Sequence, residues 1–415
     1  MLAPGAKGWI SKYFDLVEKN EIKVSIRNYE GLSKLKHLHL TFSRSGIIFG
    51  LPTRAIFASK LDTVKWTTEE KLKLLLFESM LFTYLKTGEK LDKDAFVSSL
   101  LSFYGKHNGR SIMKTMTFFL KESDEEKVES IFAKRIDIKL NLFENKWWVN
   151  SLTNLFVYLD VILYHDFLKT HATDTLEQYS DFAQNALTAI TLSSYADGVI
   201  DDHEKDMFNH FLASANLGEE QRELAIKKFK KGAKFEDLSP FVNQHWLLKR
   251  FLLDVAILTV YSSLHTDQSE IDFIEDFRKF LDIPKVEVDQ TIMFLENFII
   301  ENREQTTLLK DSPSYEKVYS RFTERWYKIL WRNKDKLTLE LKESKELVAL
   351  IKKSMTEELT VEEKEKVKQQ SKDILKSMPA FAVFMIPGGT ILLPMMMKIL
   401  PDLLPSAFKD NEIED

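Results

Sequence analysis

Apolar residues recur at intervals of three and four along two long stretches of the chain. These are EEKLKLLLFESMLFTYLKT (69–87) and NKWWVNSLTNLFVYLDVILYHDFL (145–168). This period predicts amphipathic helices that pack their apolar faces on a core. Asp160, His165 and Asp166 interrupt the second stretch. It therefore predicts a buried bundle helix rather than a membrane span, which needs about 20 mainly apolar residues.

Residues that break helices are scarce in this chain. It has 13 glycines and 10 prolines in 415 residues, and five of the prolines lie between 379 and 405. With so few breakers, the fold is predicted to be all-α, a multi-helix bundle. Three regions are predicted: an N-terminal helical region (1–172), a central helical domain (176–305) and a C-terminal region (315–415). The polar stretch KTHATDT (169–175) marks the first boundary.

The central region contains a weak repeat at an offset of 69 residues. Phe182, for example, falls on Phe251, and Asp201 falls on Glu270. Repeats of this kind predict two similar helical hairpins that pack against each other, because one hairpin cannot bury its own apolar face.

Composition narrows the function classes. The net charge of −5 excludes a global basic field for nucleic acid, but it does not exclude a local basic face. With no cysteine, disulfides, thiolate zinc sites and a Cys nucleophile are impossible. The histidines form no metal-ligand motif, and no phosphate-binding glycine loop or nucleophile elbow occurs. We therefore predict a protein that is not an enzyme and has no cofactor, apart from one candidate divalent-cation site.

That candidate is the acidic run ADGVIDDHE (196–204). It resembles the ADGxIDxxE element of the tellurite-resistance TerB-like family of helical domains. The resemblance implies that Asp197, Asp201 and Glu204 bind a divalent cation. The alternative reading is local: Asp201 caps a helix whose first turn contains Glu204, and Asp197-Gly198 is an ordinary turn.

The segment MPAFAVFMIPGGTILLPMMM (378–397) has no charge over 20 residues. At 1.5 Å per residue it matches the thickness of a bilayer core. A soluble core helix rarely tolerates prolines at mid-length, whereas membrane helices tolerate them more often. A span, a re-entrant hairpin, an interfacial helix and burial in the protein's own bundle all fit this segment.

The spacing of the C-terminal prolines resembles the Letm-type (leucine-zipper/EF-hand transmembrane) family. The chain reads MPAF (378–381), FMIP (384–387), LLP (392–394) and ILPDLLPSAF (399–408), after WYKILW (326–331) and ELTVEEK (358–364). The membrane-segment residues singled out by this resemblance are Pro379, Pro387, Gly388, Gly389, Thr390, Pro394, Pro401 and Pro405.

Letm-type membership implies an inner-membrane location, cation/proton exchange and ribosome binding. Some bacterial relatives are described as biofilm-associated. One departure concerns transport: the family places a glutamate just before LLP, where this chain has Thr390. An intramembrane carboxylate is what proton-coupled exchange requires.

Residues 321–376 contain 15 Lys/Arg and 11 Asp/Glu. By the positive-inside rule, this excess places the N-terminal bulk in a bacterial cytoplasm, with the chain held at the inner membrane. The N-terminus has no signal-peptide run, so a cytoplasmic protein is the alternative. Trp326, Tyr327 and Trp331 are either interfacial anchors or packing residues.

Three hypotheses follow. The first is a non-enzymatic, membrane-associated adaptor in cation homeostasis, ribosome binding or envelope and biofilm function. The second is a Letm-type cation/proton antiporter, which requires a homo-oligomer because one span cannot form a path. The third is a soluble helical binding protein. Membrane lipid and the ribosome are the expected partners.

Overall fold

The computed structural model describes residues 2–26, 33–105, 122–137, 154–196, 198, 200, 202–240, 242, 245–262, 268–301, 313–376 and 400. Across these ranges the chain forms helices joined by turns, without a strand, which confirms the predicted all-α class for this part of the molecule. The chain divides into two compact units, Met1–Thr291 (unit 1) and Ile292–Asp415 (unit 2).

The helices are numbered in chain order. Those that begin in unit 1 are α1 (Trp9–Glu18), α2 (Lys34–Ser45), α3 (Thr68–Thr87), α4 (Lys93–Gly105), α5 (Asp124–Ile136), α6 (Val157–Thr170), α7 (Tyr179–Ser194), α8 (Asp202–Ser214), α9 (Glu219–Lys231), α10 (Trp246–Ser262), α11 (Gln268–Phe280) and α12 (Lys285–Glu301). Unit 2 continues with α13 (Pro313–Arg332), α14 (Lys334–Glu343), α15 (Lys345–Thr356) and α16 (Val361–Lys376). Short 3-10 helices lie at Ile47–Phe49, Thr175–Gln178 and Phe235–Asp237.

Both long apolar stretches form helices. The first is α3, which begins at a capping box in which Thr67 and Glu70 satisfy each other's backbone N–H groups. The second corresponds to α6, and residues 145–153 of that stretch lie outside the described part. α6 buries almost its whole length against α3, as predicted for a bundle helix.

Asp160, which interrupts the apolar pattern of α6, has an ion-pair partner inside the core. Asp160 is completely buried and accepts hydrogen bonds from the Arg135 guanidinium at 2.7 and 2.5 Å, and from the Tyr104 hydroxyl at 2.9 Å. A buried carboxylate is tolerated when a cation and hydrogen bonds compensate for the lost water. The charge in the apolar pattern is therefore a structural ion pair of the core.

The repeat halves lie side by side in unit 1. α7 and α10 pack against each other, and the matched residues Phe182 and Phe251 are both buried on them. The matched pairs on α8 and α11 include Phe208 and Phe277, which are also buried. These two matched pairs thus serve as core residues in both halves, whereas the matched pair Phe211 and Phe280 differs: Phe211 is buried and Phe280 is 37 % exposed.

A second buried charge cluster joins three helices that are distant in sequence. Arg250 on α10 donates to the Glu287 carboxylate at 3.1 Å and to the Thr291 hydroxyl at 2.6 Å, both on α12. Asp254, one turn along α10, lies 2.7 Å from the His39 ring of α2. Burial lowers the pKa of Arg250, and the nearby carboxylates oppose that shift.

Glu78, in the middle of α3, fixes the chain that precedes that helix. Its buried carboxylate accepts hydrogen bonds from the backbone N–H groups of Ile56, Phe57 and Ala58 at 2.5, 3.0 and 2.8 Å. The Tyr13 hydroxyl of α1 adds a fourth at 2.9 Å. Burial raises the pKa of Glu78, and the backbone hydrogen bonds act in the opposite direction. One side chain therefore orders a loop that has no regular structure.

None of the helices in the described ranges combines the length and the apolar character needed to cross a membrane. The predicted membrane segment, 378–397, lies outside those ranges together with Pro401 and Pro405. Its conformation therefore stays a prediction.

Substitution Glu78→Gln is expected to lower the free energy of unfolding by about 2–3 kcal/mol, because the amide replaces an acceptor oxygen with an N–H₂ group facing backbone donors. The measurement is urea unfolding followed by far-UV circular dichroism. Glu69→Gln is the matched control on α3, since the Glu69 side chain is 56 % exposed, and a change within about 0.5 kcal/mol is expected there. Equal midpoints for the two variants would contradict the assigned role of Glu78.

Candidate functional site

The buried ionisable groups of unit 1 are engaged in structural contacts. Glu78 orders a loop, Asp160 pairs with Arg135, and Asp254 meets His39. Each has its hydrogen bonds directed to protein groups rather than to a cleft. These contacts explain the three buried carboxylates as structural groups of the fold, and we assign them no catalytic or binding role.

The acidic run at 196–204 is only partly described. Glu204 lies in the first turn of α8 and is partly exposed, whereas Asp197 and Asp201 fall outside the described residues. Gly198 has a left-handed φ of +84° and its N–H donates to the Tyr195 carbonyl at 3.1 Å, which makes a turn before α8. Among the described residues, no group of three potential ligands is close enough to bind a metal ion. The cation site stays a prediction.

The last three described helices of unit 2 form a small cluster. α14 packs on α15 and α16, and α15 packs on α16. Leucine, valine and isoleucine side chains fill the space between them: Leu337, Leu341, Leu347, Val348, Ile351, Leu359, Val367 and Ile374 are all buried. This apolar core fixes the orientation of α16, the helix that leads into segment 378–397.

The start of α16 is a capping box. In the sequence, Thr360 and Glu363 have the three-residue spacing that predicts a helix start at Thr360. The Glu363 N–H donates to the Thr360 hydroxyl at 3.2 Å, and the Thr360 N–H donates to the Glu363 carboxylate at 2.9 Å. Glu363 also pairs with Lys353 of α15 at 2.8 Å. The hydrogen bond from Lys353 lowers the pKa of Glu363. Local capping and packing on α15 therefore use the same carboxylate.

A second polar contact joins α15 and α16 further along. Glu346 accepts hydrogen bonds from Lys366 at 2.7 Å and from the Gln370 amide at 2.6 Å. The hydrogen bond from Lys366 lowers the pKa of Glu346, and that from Gln370 adds to it. Glu346 and Lys366 are exposed and Gln370 is half-buried, so the ion pair in this contact contributes little to stability.

α13 separates its aromatic residues between two faces. Phe322, Trp326 and Leu330 follow one another at four-residue intervals and are buried. Tyr327 and Trp331 lie about 100° further around the helix and are 41 % and 49 % exposed. Of the three aromatic residues predicted as interfacial, Trp326 is 1 % exposed; it packs inside unit 2 and cannot contact a bilayer surface in this structure.

The two exposed rings form a stacked pair. Their centroids are 6.2 Å apart and their planes are 17° from parallel. The Lys334 ammonium lies 4.7 Å from the centre of the Trp331 ring, within cation–π range. Sequence reasoning identified both aromatic residues but missed Lys334. The sequence signal for the two aromatic residues was the four-residue spacing of Tyr327 and Trp331, which puts them on one face of a helix.

Substitution Thr360→Ala is expected to destabilise the start of α16 by about 1 kcal/mol, because the alanine cannot accept the Glu363 N–H. The measurement is hydrogen exchange of the amides in the first turn of α16. Thr360→Ser is the control, since serine keeps the accepting hydroxyl. Equal exchange rates for the alanine and serine variants would show that the cap does not stabilise this turn.

Comparison with known proteins finds a similarity for the C-terminal part of the chain. The family model described as LETM1-like, RBD matches residues 359–415, which begin one residue before Thr360 and include α16 and segment 378–397. Searches of curated proteins and of solved structures found no match. The TerB-like resemblance of the central region therefore stays a prediction. The match to residues 359–415 supports a Letm1-type relationship for this chain.

Proposed function

We propose that this chain is a non-enzymatic Letm-type adaptor whose C-terminal unit binds the ribosome. The observation that carries the proposal is the match of residues 359–415 to a LETM1-like ribosome-binding domain. The apolar core of α14–α16 supports it, because that core gives the matched helix α16 a fixed position within unit 2.

The basic excess of one stretch of unit 2, residues 321–376, also supports ribosome binding. Residues 321–376 have 15 Lys/Arg against 11 Asp/Glu, although the whole chain has a net charge of −5. A ribosome presents a largely anionic surface, and lysine contacts to phosphates release counterions. The basic excess of residues 321–376 fits such a partner better than the acidic average of the chain does.

We further propose that segment 378–397 attaches the chain to the bacterial inner membrane, with unit 1 in the cytoplasm. The uncharged length of the segment and the basic residues that precede it support this arrangement. It also places α13–α16 on the side of the membrane where ribosomes are. Cation/proton exchange is not part of the proposal, since this segment contains no ionisable residue for a proton path.

Ribosome binding is tested by pelleting the full-length protein with purified ribosomes through a sucrose cushion at two salt concentrations. The double variant Lys345→Glu/Lys352→Glu reverses two charges on α15 and is expected to weaken binding about tenfold and to flatten the salt dependence. The matched control, Lys227→Glu/Lys231→Glu on α9, makes the same change in net charge within unit 1 and is expected to pellet like the wild type. A wild-type protein that stays in the supernatant, or equal losses for both double variants, would contradict the proposal.

Membrane attachment is tested by fractionating cells that express the full-length chain. The protein is expected in the membrane fraction, to resist carbonate washing and to be released by detergent, because segment 378–397 would be held by lipid. Thr390→Lys introduces a charge near the middle of the segment and is expected to shift the protein toward the soluble fraction. Recovery of the wild type in the soluble fraction without detergent would contradict the proposed membrane attachment. Ribosome binding would still be tested separately, by the pelleting experiment.

A further inference from the structure

The exposed side of α13 combines aromatic and basic residues. This surface, called here the α13 face, consists of Tyr327, Lys328, Trp331 and Arg332, with Lys334 from the start of α14. All five side chains are exposed. The α13 face lies upstream of the segment that matches the family model, residues 359–415.

The two rings of the α13 face are arranged as a platform. Tyr327 and Trp331 are one helical turn apart, and their planes lie within 17° of each other. About half of the Trp331 side chain remains accessible, at 49 %. Tryptophan usually buries its large ring in a core or an interface, and Trp326 on the same helix does so. The exposed part of the Trp331 ring is therefore available for contact with a partner.

The charge around the platform is mainly positive. Residues 321–336 contain six Lys/Arg and only two Asp/Glu in a chain that is acidic overall. Lys328 and Arg332 occupy positions next to the two rings, and Lys334 lies over the Trp331 ring. Proteins that bind single-stranded nucleic acid combine these two elements: rings that stack on bases and cations that follow the phosphates.

We propose that the α13 face binds single-stranded RNA by stacking unpaired bases on Tyr327 and Trp331 while Lys328 and Arg332 neutralise the adjoining phosphates. The inference rests on the proposed ribosome binding for the source of that RNA, namely unpaired segments of ribosomal RNA. Sequence-tolerant stacking is expected, because every base has a π-face and no side chain of the platform reads base edges.

The composition of the α13 face favours RNA over lipid. A membrane-surface helix inserts aliphatic and aromatic residues together below its basic residues. Among the side chains described on α13, the large exposed apolar ones are both aromatic. The cation over the Trp331 ring also keeps a charge where a lipid-inserted ring would need apolar surroundings. The experiment must therefore distinguish binding to RNA from binding to a lipid surface.

The experiment measures anisotropy of a fluorescein-labelled 12-nucleotide uridine RNA titrated with the full-length protein. Trp331→Ala is expected to weaken binding about tenfold, the loss typical of one stacked base. Trp331→Phe is expected to retain most of the affinity, since it keeps a ring. Duplex RNA of equal length is expected to bind more weakly, because its bases are already stacked. Phe280→Ala, which removes a 37 % exposed ring on α11, is the matched control and is expected to bind like the wild type.

Vesicles and ribosomes give the remaining arms. Binding of RNA that is equal for the wild type and Trp331→Ala would overturn the proposal. So would an absence of RNA binding together with Trp331-dependent recruitment to phosphatidylglycerol vesicles, which would make the α13 face a lipid contact. Ribosome pelleting that persists without any RNA binding would retain the proposed function and reject this inference. RNA binding through Trp331 without ribosome pelleting would retain the α13 face and reject the ribosome as its source.

Discussion

A buried arginine sets the geometry of the central helices. The Arg250 side chain is 2 % exposed, and an isolated charge in such a place costs several kcal/mol. Its guanidinium must therefore reach Glu287 and Thr291 on α12. One turn along α10, the buried Asp254 likewise needs a partner and forms a hydrogen bond with His39 of α2. Two charges on one helix thus hold α2, α10 and α12 in a single register.

The same constraint recurs around α3 and α6. Asp160 is tolerated inside the bundle because Arg135 and Tyr104 both donate hydrogen bonds to it. Glu78 is tolerated there because it accepts hydrogen bonds from the backbone N–H groups of a loop without regular structure. These polar groups interrupt otherwise apolar helices at the points where other parts of the chain must attach. The apolar faces supply most of the stabilisation, whereas the buried charges make one arrangement of the helices much better than its neighbours.

Unit 2 relies on a different balance. The helices α14–α16 share a modest aliphatic core, and the ion pairs that join them lie at the surface, where each contributes little. This arrangement leaves long basic side chains at the surface of the region nearest to the match with the LETM1-like ribosome-binding domain. A small core with a charged exterior suits a surface that binds a large anionic partner, which is why the proposed functions concentrate there.

Much of the fold could be predicted because it depends on local patterns. The period of apolar residues predicted α3, and the spacing of Thr360 and Glu363 predicted the start of α16. Both features are decided within a few residues, by helix geometry and by backbone donors that need an acceptor. The partners of the buried carboxylates could not be predicted in this way. Arg135 lies 25 residues from its partner Asp160, and His39 lies 215 residues from its partner Asp254.

The sequence by itself determined the helices of the described residues, the cap of α16 and the match of residues 359–415 to the LETM1-like family model, because each is encoded by neighbouring residues. The tertiary structure alone decided which aromatic residues of α13 are available. Trp326 and Tyr327 are adjacent and chemically similar, yet successive side chains point about 100° apart around a helix. Packing on one side of α13 buried Trp326 and left Tyr327 and Trp331 exposed. That choice depends on the orientation of the whole helix in unit 2, which no local pattern specifies.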